Sequence, residues 1–212
     1  MVQTVPANEI TLRQLKQLFG LQQSQDSNFF PEWLDVDADL SQTKQNLLDR
    51  LKANFGELME NPPMLENSVK MVVLAPLLDL ASFYRKPFRI ETETSVDVQM
   101  EDEGMVIRGR IDVLVLRNRL WLLVIESKRS DFAVTRAIPQ ALAYMLANQD
   151  IAQPTFSMIT NGNEFLFLKG TRQPTAEYAT SRLFSLVNPN NELYTVLQVL
   201  KRLGQEVVAV NN

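Results

Sequence analysis

Three charged side chains stand where a soluble protein rarely leaves charge. Glu126 and Lys128 end an apolar run, Trp121-Leu122-Leu123-Val124-Ile125-Glu126-Ser127-Lys128, and Asp112 interrupts another, Ile111-Asp112-Val113-Leu114-Val115-Leu116. In a strand, residues i and i+2 point to one face, so Glu126 and Lys128 share a face with Leu122 and Val124. Charges placed there cost several kcal/mol each unless they are paired or hold a metal. One reading is structural: a partly buried Glu126–Lys128 or Asp112–Lys128 ion pair, or a strand end open to solvent. The other is chemical. Two carboxylates can hold a hard cation with help from a backbone carbonyl and water. Such an ion polarises a scissile phosphate and activates the attacking water. A lysine beside it orients that water or neutralises charge developing on phosphoryl oxygens.

For that chemistry Asp112 must meet Glu126. Only Arg117-Asn118-Arg119 separates the two runs, too little for a crossover helix, so they form an antiparallel hairpin. Opposed residues of a hairpin face the same way. Asp112 opposes Glu126 if the loop has odd length or a bulge intervenes; a two-residue loop alone pairs Asp112 with Ile125.

Composition narrows the chemistry. The 212 residues include no cysteine and no histidine. Disulfides, thiolate metal sites, Ser-His-Asp triads and histidine-ligated zinc are thereby excluded. Hydrolysis here would rest on carboxylates, lysine and a hard metal such as magnesium. The net charge is −4, yet between Met105 and Gln140 seven basic residues face three acidic ones, leaving +4 there and −8 elsewhere. A locally basic stretch on an acidic body can hold a phosphate backbone or be a solvated surface. No apolar run is long enough to span a membrane, and the first ten residues lack a signal peptide's basic and apolar regions. A cytoplasmic protein with no membrane partner is expected.

The elements that position these groups follow from periodicity. Glu9 to Phe19 reads as a helix with Thr11 as N-cap, and Ser41 opens a second helix that ends near Glu60 at Asn61-Pro62-Pro63. Gly20 to Asp37 is irregular, anchored by Phe29, Phe30 and Trp33. Residues 1–63 are thus expected to form a helical N-terminal extension to an α/β domain over 64–212. Met64 to Tyr84 is a long apolar helix that Pro76 should kink or divide. Strands are expected at Phe88–Gln99, Met105–Leu116 and Leu120–Ser127, then a helix over Thr135–Asn148. Strands at Thr155–Thr160 and Phe165–Lys169 flank an Asn161-Gly162 turn, another spans Tyr178–Val187, and an amphipathic helix over Asn191–Val207 closes the chain. This order describes an α/β fold with a mixed sheet flanked by helices. Glu101-Asp102-Glu103 reads as a solvated loop.

Asp112, then thirteen intervening residues, then Glu126-Ser127-Lys128 resembles the D…(D/E)-x-K signature of the PD-(D/E)XK nuclease superfamily. Gln140-Ala141-Leu142-Ala143-Tyr144 resembles the Q-x-x-x-Y element that follows this lysine in RecB-like nucleases and in the N-terminal nuclease domains of type I restriction enzyme motor subunits. Ile159-Thr160-Asn161-Gly162, followed by a strand, is similar to a segment of those same domains. The resemblance covers roughly residues 64 to 170, and Ile111 stands where the superfamily's name places proline. It implies a restriction-endonuclease-like core and a Mg2+-dependent deoxyribonuclease, with Mn2+ as the other metal to consider. Asp112, Glu126 and the Ser127 carbonyl would hold the metal, joined by Glu66, and Lys128 would be the catalytic lysine. Gln140 would contact the phosphate or the water on the metal. Tyr144 reads mainly as packing, and Asn161-Gly162 as a turn.

Arg108, Arg110 and Arg129 are candidate DNA contacts; Arg108 and Arg110 share a strand face with Asp112, and they could equally balance acidic neighbours. Motor subunits also carry helicase-like domains; this sequence has no G-x-x-x-x-G-K-[ST] motif and is not expected to move along DNA by itself. Three functions compete: a DNA nuclease, acting as a homodimer or with a restriction or repair partner; a nuclease-like fold that binds nucleic acid or a partner without cutting; and a protein whose polar cluster is only an ion-pair network.

Overall fold

The computed structural model describes residues 3–34, 36, 40–100, 105–117 and 120–209; the side chains of 3, 99–100, 120, 122–123 and 206–209 lie outside that description. The expected acidic loop at Glu101-Asp102-Glu103, the loop residues Asn118 and Arg119, and the facing of Leu122 therefore fall outside it.

The chain begins with a strand, β1 (Gln3–Pro6), and helix α1 (Leu12–Phe19). Thr11 caps α1 through a full capping box with Gln14. A two-residue strand, β2 (Gln22–Gln23), and a 3-10 turn (Pro31–Trp33) lead to α2 (Gln42–Leu58). The expected helical extension is therefore only partly helical. β1 pairs in parallel with a strand of the main sheet at Met105–Arg108, and β2 with another at Glu177–Tyr178. Strands of two to four residues carry too little alternation to be read from sequence. Glu32, in the 3-10 turn, is 5% exposed and lies 2.5 Å from Lys169. The Lys169 ammonium also sits over the rings of Phe29 and Phe156, which ties this segment to the sheet.

The long apolar helix stays continuous by changing pitch. It runs as α3 (Glu66–Val69), a π-helical turn (Lys70–Leu74) and α4 (Ala75–Leu80). Pro76 has no N–H for the regular ladder, and the wider turn just before it takes up the mismatch; the Ala75 N–H reaches back five residues to the Lys70 carbonyl.

Three long strands follow: β3 (Phe88–Met100), β4 (Met105–Arg117) and β5 (Leu120–Ser127). A 3-10 turn (Val134–Ala137) runs into α5 (Ile138–Leu146), with Pro139 in its first turn. Then come β6 (Thr155–Thr160), β7 (Glu164–Thr171), β8 (Glu177–Thr180), β9 (Phe184–Ser185) and α6 (Leu193–Ala209). The expected strand over Tyr178–Val187 is thus two short ones.

The sheet order is β1-β4-β5-β6-β7-β8-β2, with β3 also on β4 and β9 on β7. β5 is central, antiparallel to β4 and parallel to β6, and α5 provides the crossover that parallel pairing needs. Alternating side chains feed two cores. On β6 and β7, Phe156, Met158, Phe165 and Phe167 join α2, the π-containing helix and α6, while Ile159, Leu166 and Leu168 join α1 and α5 on the other face. The result is a mixed sheet between two helical layers.

Register decides the site. Arg117 pairs with Leu120 and Leu116 with Trp121, as a two-residue loop dictates. Val115 then pairs with Leu123, Leu114 with Val124 and Val113 with Ile125. Leu122 is the extra backbone residue of a bulge. This one-residue slip, of the two devices expected, directs Asp112 toward Glu126.

Candidate active site

Asp112, Glu126, Ser127 and Gln140 are all buried, with Glu126 only 2% exposed. Past Val113 the β4–β5 ladder gives way and the Asp112 side chain takes its place: the Ser127 N–H donates to Asp112 Oδ2 at 2.7 Å. Asp112 Oδ1 accepts from Lys70 Nζ at 2.7 Å. Alternation does not carry through Asp112. Ile107 and Ile111 belong to the core over α5, whereas Val113 and Val115 belong to the opposite core.

Glu126 Oε1 accepts from Lys128 Nζ and, at 2.7 Å, from Gln140 Nε2. Glu126 Oε2 is buried and has no hydrogen-bond partner. Burial, reinforced by Asp112 and opposed by Lys128, pushes the Glu126 carboxyl up to about 8. Gln140 also donates to the Tyr144 hydroxyl at 2.9 Å, and that hydroxyl accepts from the Arg110 N–H at 3.3 Å. Tyr144, read mainly as packing, therefore also orients Gln140. The Lys128 ammonium lies 5.8 Å from the centre of the Phe132 ring.

The loop after Lys128 is anchored twice. Asn161 Nδ2 donates to the Phe132 carbonyl at 2.9 Å, so the Thr-Asn-Gly segment does more than turn the chain. Ser130 and Met64 exchange two hydrogen bonds, of 2.8 and 3.0 Å. These bring the start of α3 against the end of β5.

Other predicted residues are placed differently. Glu66 Oε1 lies 3.2 Å from Lys70. Arg108 is paired with Asp97 and Arg129 with Asp131, all largely exposed. The Arg110 guanidinium lies 3.7 Å from Glu93. The sequence reading missed Lys70 and Glu93. Lys70 had a signal: it breaks an apolar helical stretch four residues after Glu66. Glu93 had none, because its role follows from facing Asp112 across β3 and β4, with left-handed backbone at φ 54°.

Gly109 is the other missed residue. A Cβ there would lie 2.6 Å from the Tyr144 ring and 2.7 Å from Ala7 Cβ. Gly109→Ala is expected to cost about 1–3 kcal/mol through overpacking, read as a fall in thermal midpoint of roughly 2–10 °C. An unchanged midpoint would show that Tyr144 yields freely.

The donor set can be tested against a hard metal. Among the described residues no three acidic side chains are grouped to hold an ion by themselves. Asp112 and Glu126 offer two carboxylates, and the buried Oε2 of Glu126 has no hydrogen-bond partner within the protein. This set fits one divalent ion completed by other oxygen ligands.

Fold and site together define a nuclease-like α/β domain: a mixed sheet between helical layers, with paired carboxylates and a lysine where β4 and β5 part. The chain belongs to the family described as type I restriction enzyme R protein N terminus, which matches residues 7–176. A solved fragment from Vibrio vulnificus YJ016, assigned as an HsdR subunit of a type I restriction enzyme, is 22% identical with a TM-score of 0.42. That match covers 69% of this chain and 27% of the other. No curated protein matches the sequence. No helix among the described residues is long and apolar enough to cross a membrane.

Proposed function

We propose that the chain is a metal-dependent nuclease of the PD-(D/E)XK type that hydrolyses DNA phosphodiester bonds, with Mg2+ as the metal and Mn2+ as a substitute. The observation that carries this reading is the unpartnered, buried Glu126 Oε2 beside Asp112 and Lys128. Asp112, Glu126 and the Ser127 carbonyl would hold the ion, which supplies Lewis-acid stabilisation of the phosphoryl oxygens. Lys128 orients the attacking water and offsets charge on the phosphate. Gln140 fixes the rotamer of Glu126, and Tyr144 fixes Gln140. Arg108, Arg110 and Arg129 would turn from their carboxylates to phosphates. We infer DNA as the substrate, partner subunits of a type I restriction system and a cytoplasmic location, a reading supported by membership of the type I restriction enzyme R family. Residues 1–63 and 64–212 would act as one unit, since Leu48, Leu51 and Phe55 share a core with the sheet.

A second reading, a nuclease fold that binds without cutting, is favoured by one observation: both Asp112 oxygens already accept hydrogen bonds within the protein. Incubation with supercoiled, single-stranded and branched DNA plus Mg2+ or Mn2+ separates the two. Metal-dependent cleavage by wild type, absent in folded Asp112→Asn and Lys128→Ala variants, is the expected result. Equal activity in wild type and variants would sink the site, and no cleavage of any substrate would leave the binding reading ahead.

A further inference from the structure

Thr160 and Asn161, at the end of β6, hold both ends of the loop that carries Lys128. The Lys128 N–H donates to the Thr160 carbonyl at 2.8 Å, and Asn161 Nδ2 donates to the Phe132 carbonyl at 2.9 Å. Asn161 is buried, and its amide is committed at both ends. Oδ1 accepts from the N–H groups of Asn163 and Glu164, at 3.0 and 2.7 Å, which closes the β6–β7 turn. Nδ2 serves the loop, with Glu164 Oε2 a longer contact at 3.4 Å. Between the two anchors the loop turns tightly, with the Phe132 N–H on the Arg129 carbonyl at 3.0 Å. The Phe132 ring packs against the core over α5, and its centre lies 5.8 Å from Lys128 Nζ. A lysine ammonium sits on a flexible four-carbon stem, so a fixed backbone does not by itself fix Nζ. A ring face attracts the cation and limits where it can go. Lys128 Nζ is thus restrained from two sides, by the Glu126 carboxylate and by the Phe132 ring.

We infer that Asn161, acting through Phe132, is a positioning residue for Lys128. The amide seats the loop, the loop seats the ring, and the ring steers the ammonium. Turning the chain uses Asn161 Oδ1 and Gly162; seating the loop uses Nδ2. The catalytic part of this inference rests on the nuclease reading above.

Two variants separate the parts. Asn161→Asp keeps the turn's acceptor and loses the donor to Phe132, whereas Phe132→Leu keeps the backbone bond and loses the ring. Ring currents make Lys128 visible without metal or substrate. With isotopically labelled lysine, magnetic resonance should find the Lys128 ε-methylene protons upfield of an exposed lysine's, an assignment fixed by their absence in Lys128→Ala. Both variants, shown to be folded by circular dichroism, should return that resonance toward the ordinary lysine position, and Phe132→Tyr should keep it. Asn161→Ser, which also keeps a turn acceptor, carries the same expectation should Asn161→Asp fail to fold. In DNA cleavage at saturating metal, the variants should lower kcat roughly 3- to 30-fold with KM unchanged, and Phe132→Tyr should match wild type. A resonance that Asn161→Asp and Asn161→Ser leave unmoved, or one that moves with kcat unchanged, would overturn the inference and leave the nuclease reading intact. A wild type that cleaves nothing would overturn that reading and the catalytic role with it, while the resonance still decides whether Asn161 places Lys128.

Discussion

Glu126→Gln is expected to abolish cleavage and at the same time make the metal-free protein harder to unfold at alkaline pH. Loss of a carboxylate ligand removes several kcal/mol of metal-derived stabilisation. At tenfold per 1.4 kcal/mol, activity should fall by about a thousandfold or more. The stability effect has the opposite sign. The folded-state value of about 8 stands above the ordinary 4.5 because the carboxylate is buried beside Asp112. Below pH 4.5 both folded and unfolded chains hold the proton and the shift contributes nothing. Between 4.5 and 8 the unfolded chain releases it and the folded chain keeps it, so stability falls as pH rises; above 8 the full penalty applies. That penalty is on the order of 4 kcal/mol. Glutamine imitates the protonated acid and still accepts from Lys128 and Gln140. Its thermal midpoint should match wild type near pH 5 and exceed it by roughly 5–15 °C at pH 9. Addition of Mg2+ should raise the wild-type midpoint at pH 9 and leave that of the variant unmoved. A variant less stable than wild type at pH 9 would mean that the Lys128 pair outweighs burial, and that Glu126 is structural.

Asp112→Ala should be both inactive and severely destabilised, whereas Asp112→Asn should be inactive with a smaller loss. The difference follows from the two oxygens of Asp112. One accepts from the buried Ser127 N–H and the other from Lys70. Alanine leaves that N–H unsatisfied, at about 1–3 kcal/mol, and takes from Lys70 its nearest partner. Together these are expected to cost about 3–5 kcal/mol. Asparagine keeps an acceptor for Ser127, although its amide N–H then faces the Lys70 ammonium. Urea unfolding with the slope unchanged would measure the difference. Equal stability of the two variants would show that the Ser127 N–H finds another partner, and that Asp112 does not close the strand end.

The two arguments also show where sequence reasoning has its reach. Asp112, Glu126 and Lys128 were legible because burying a charge is costly, so a charge inside an apolar strand stands out without any tertiary information. Thr11 marked the start of α1 for a similarly local reason: capping joins neighbours in the chain. Asn161-Gly162 marked the β6–β7 turn because Gly162, at φ 87°, adopts backbone that other residues resist.

What remained undecided depended on contacts between distant residues. The sequence allowed two pairings of β4 with β5, because apolar residues line both faces of β5 and either register buries them. The bulge at Leu122 chose between them. β1 and β2 were hidden because each takes its strand geometry from a partner about a hundred or more residues away. Glu93 is an ordinary surface-type residue in the linear chain, and only the packing of the π-containing helix against β3 and β4 brings it and Lys70 to Asp112. The sequence by itself therefore determined which charges had to be compensated. The tertiary structure decided what compensates them, because Coulomb forces act across space and are indifferent to separation along the chain.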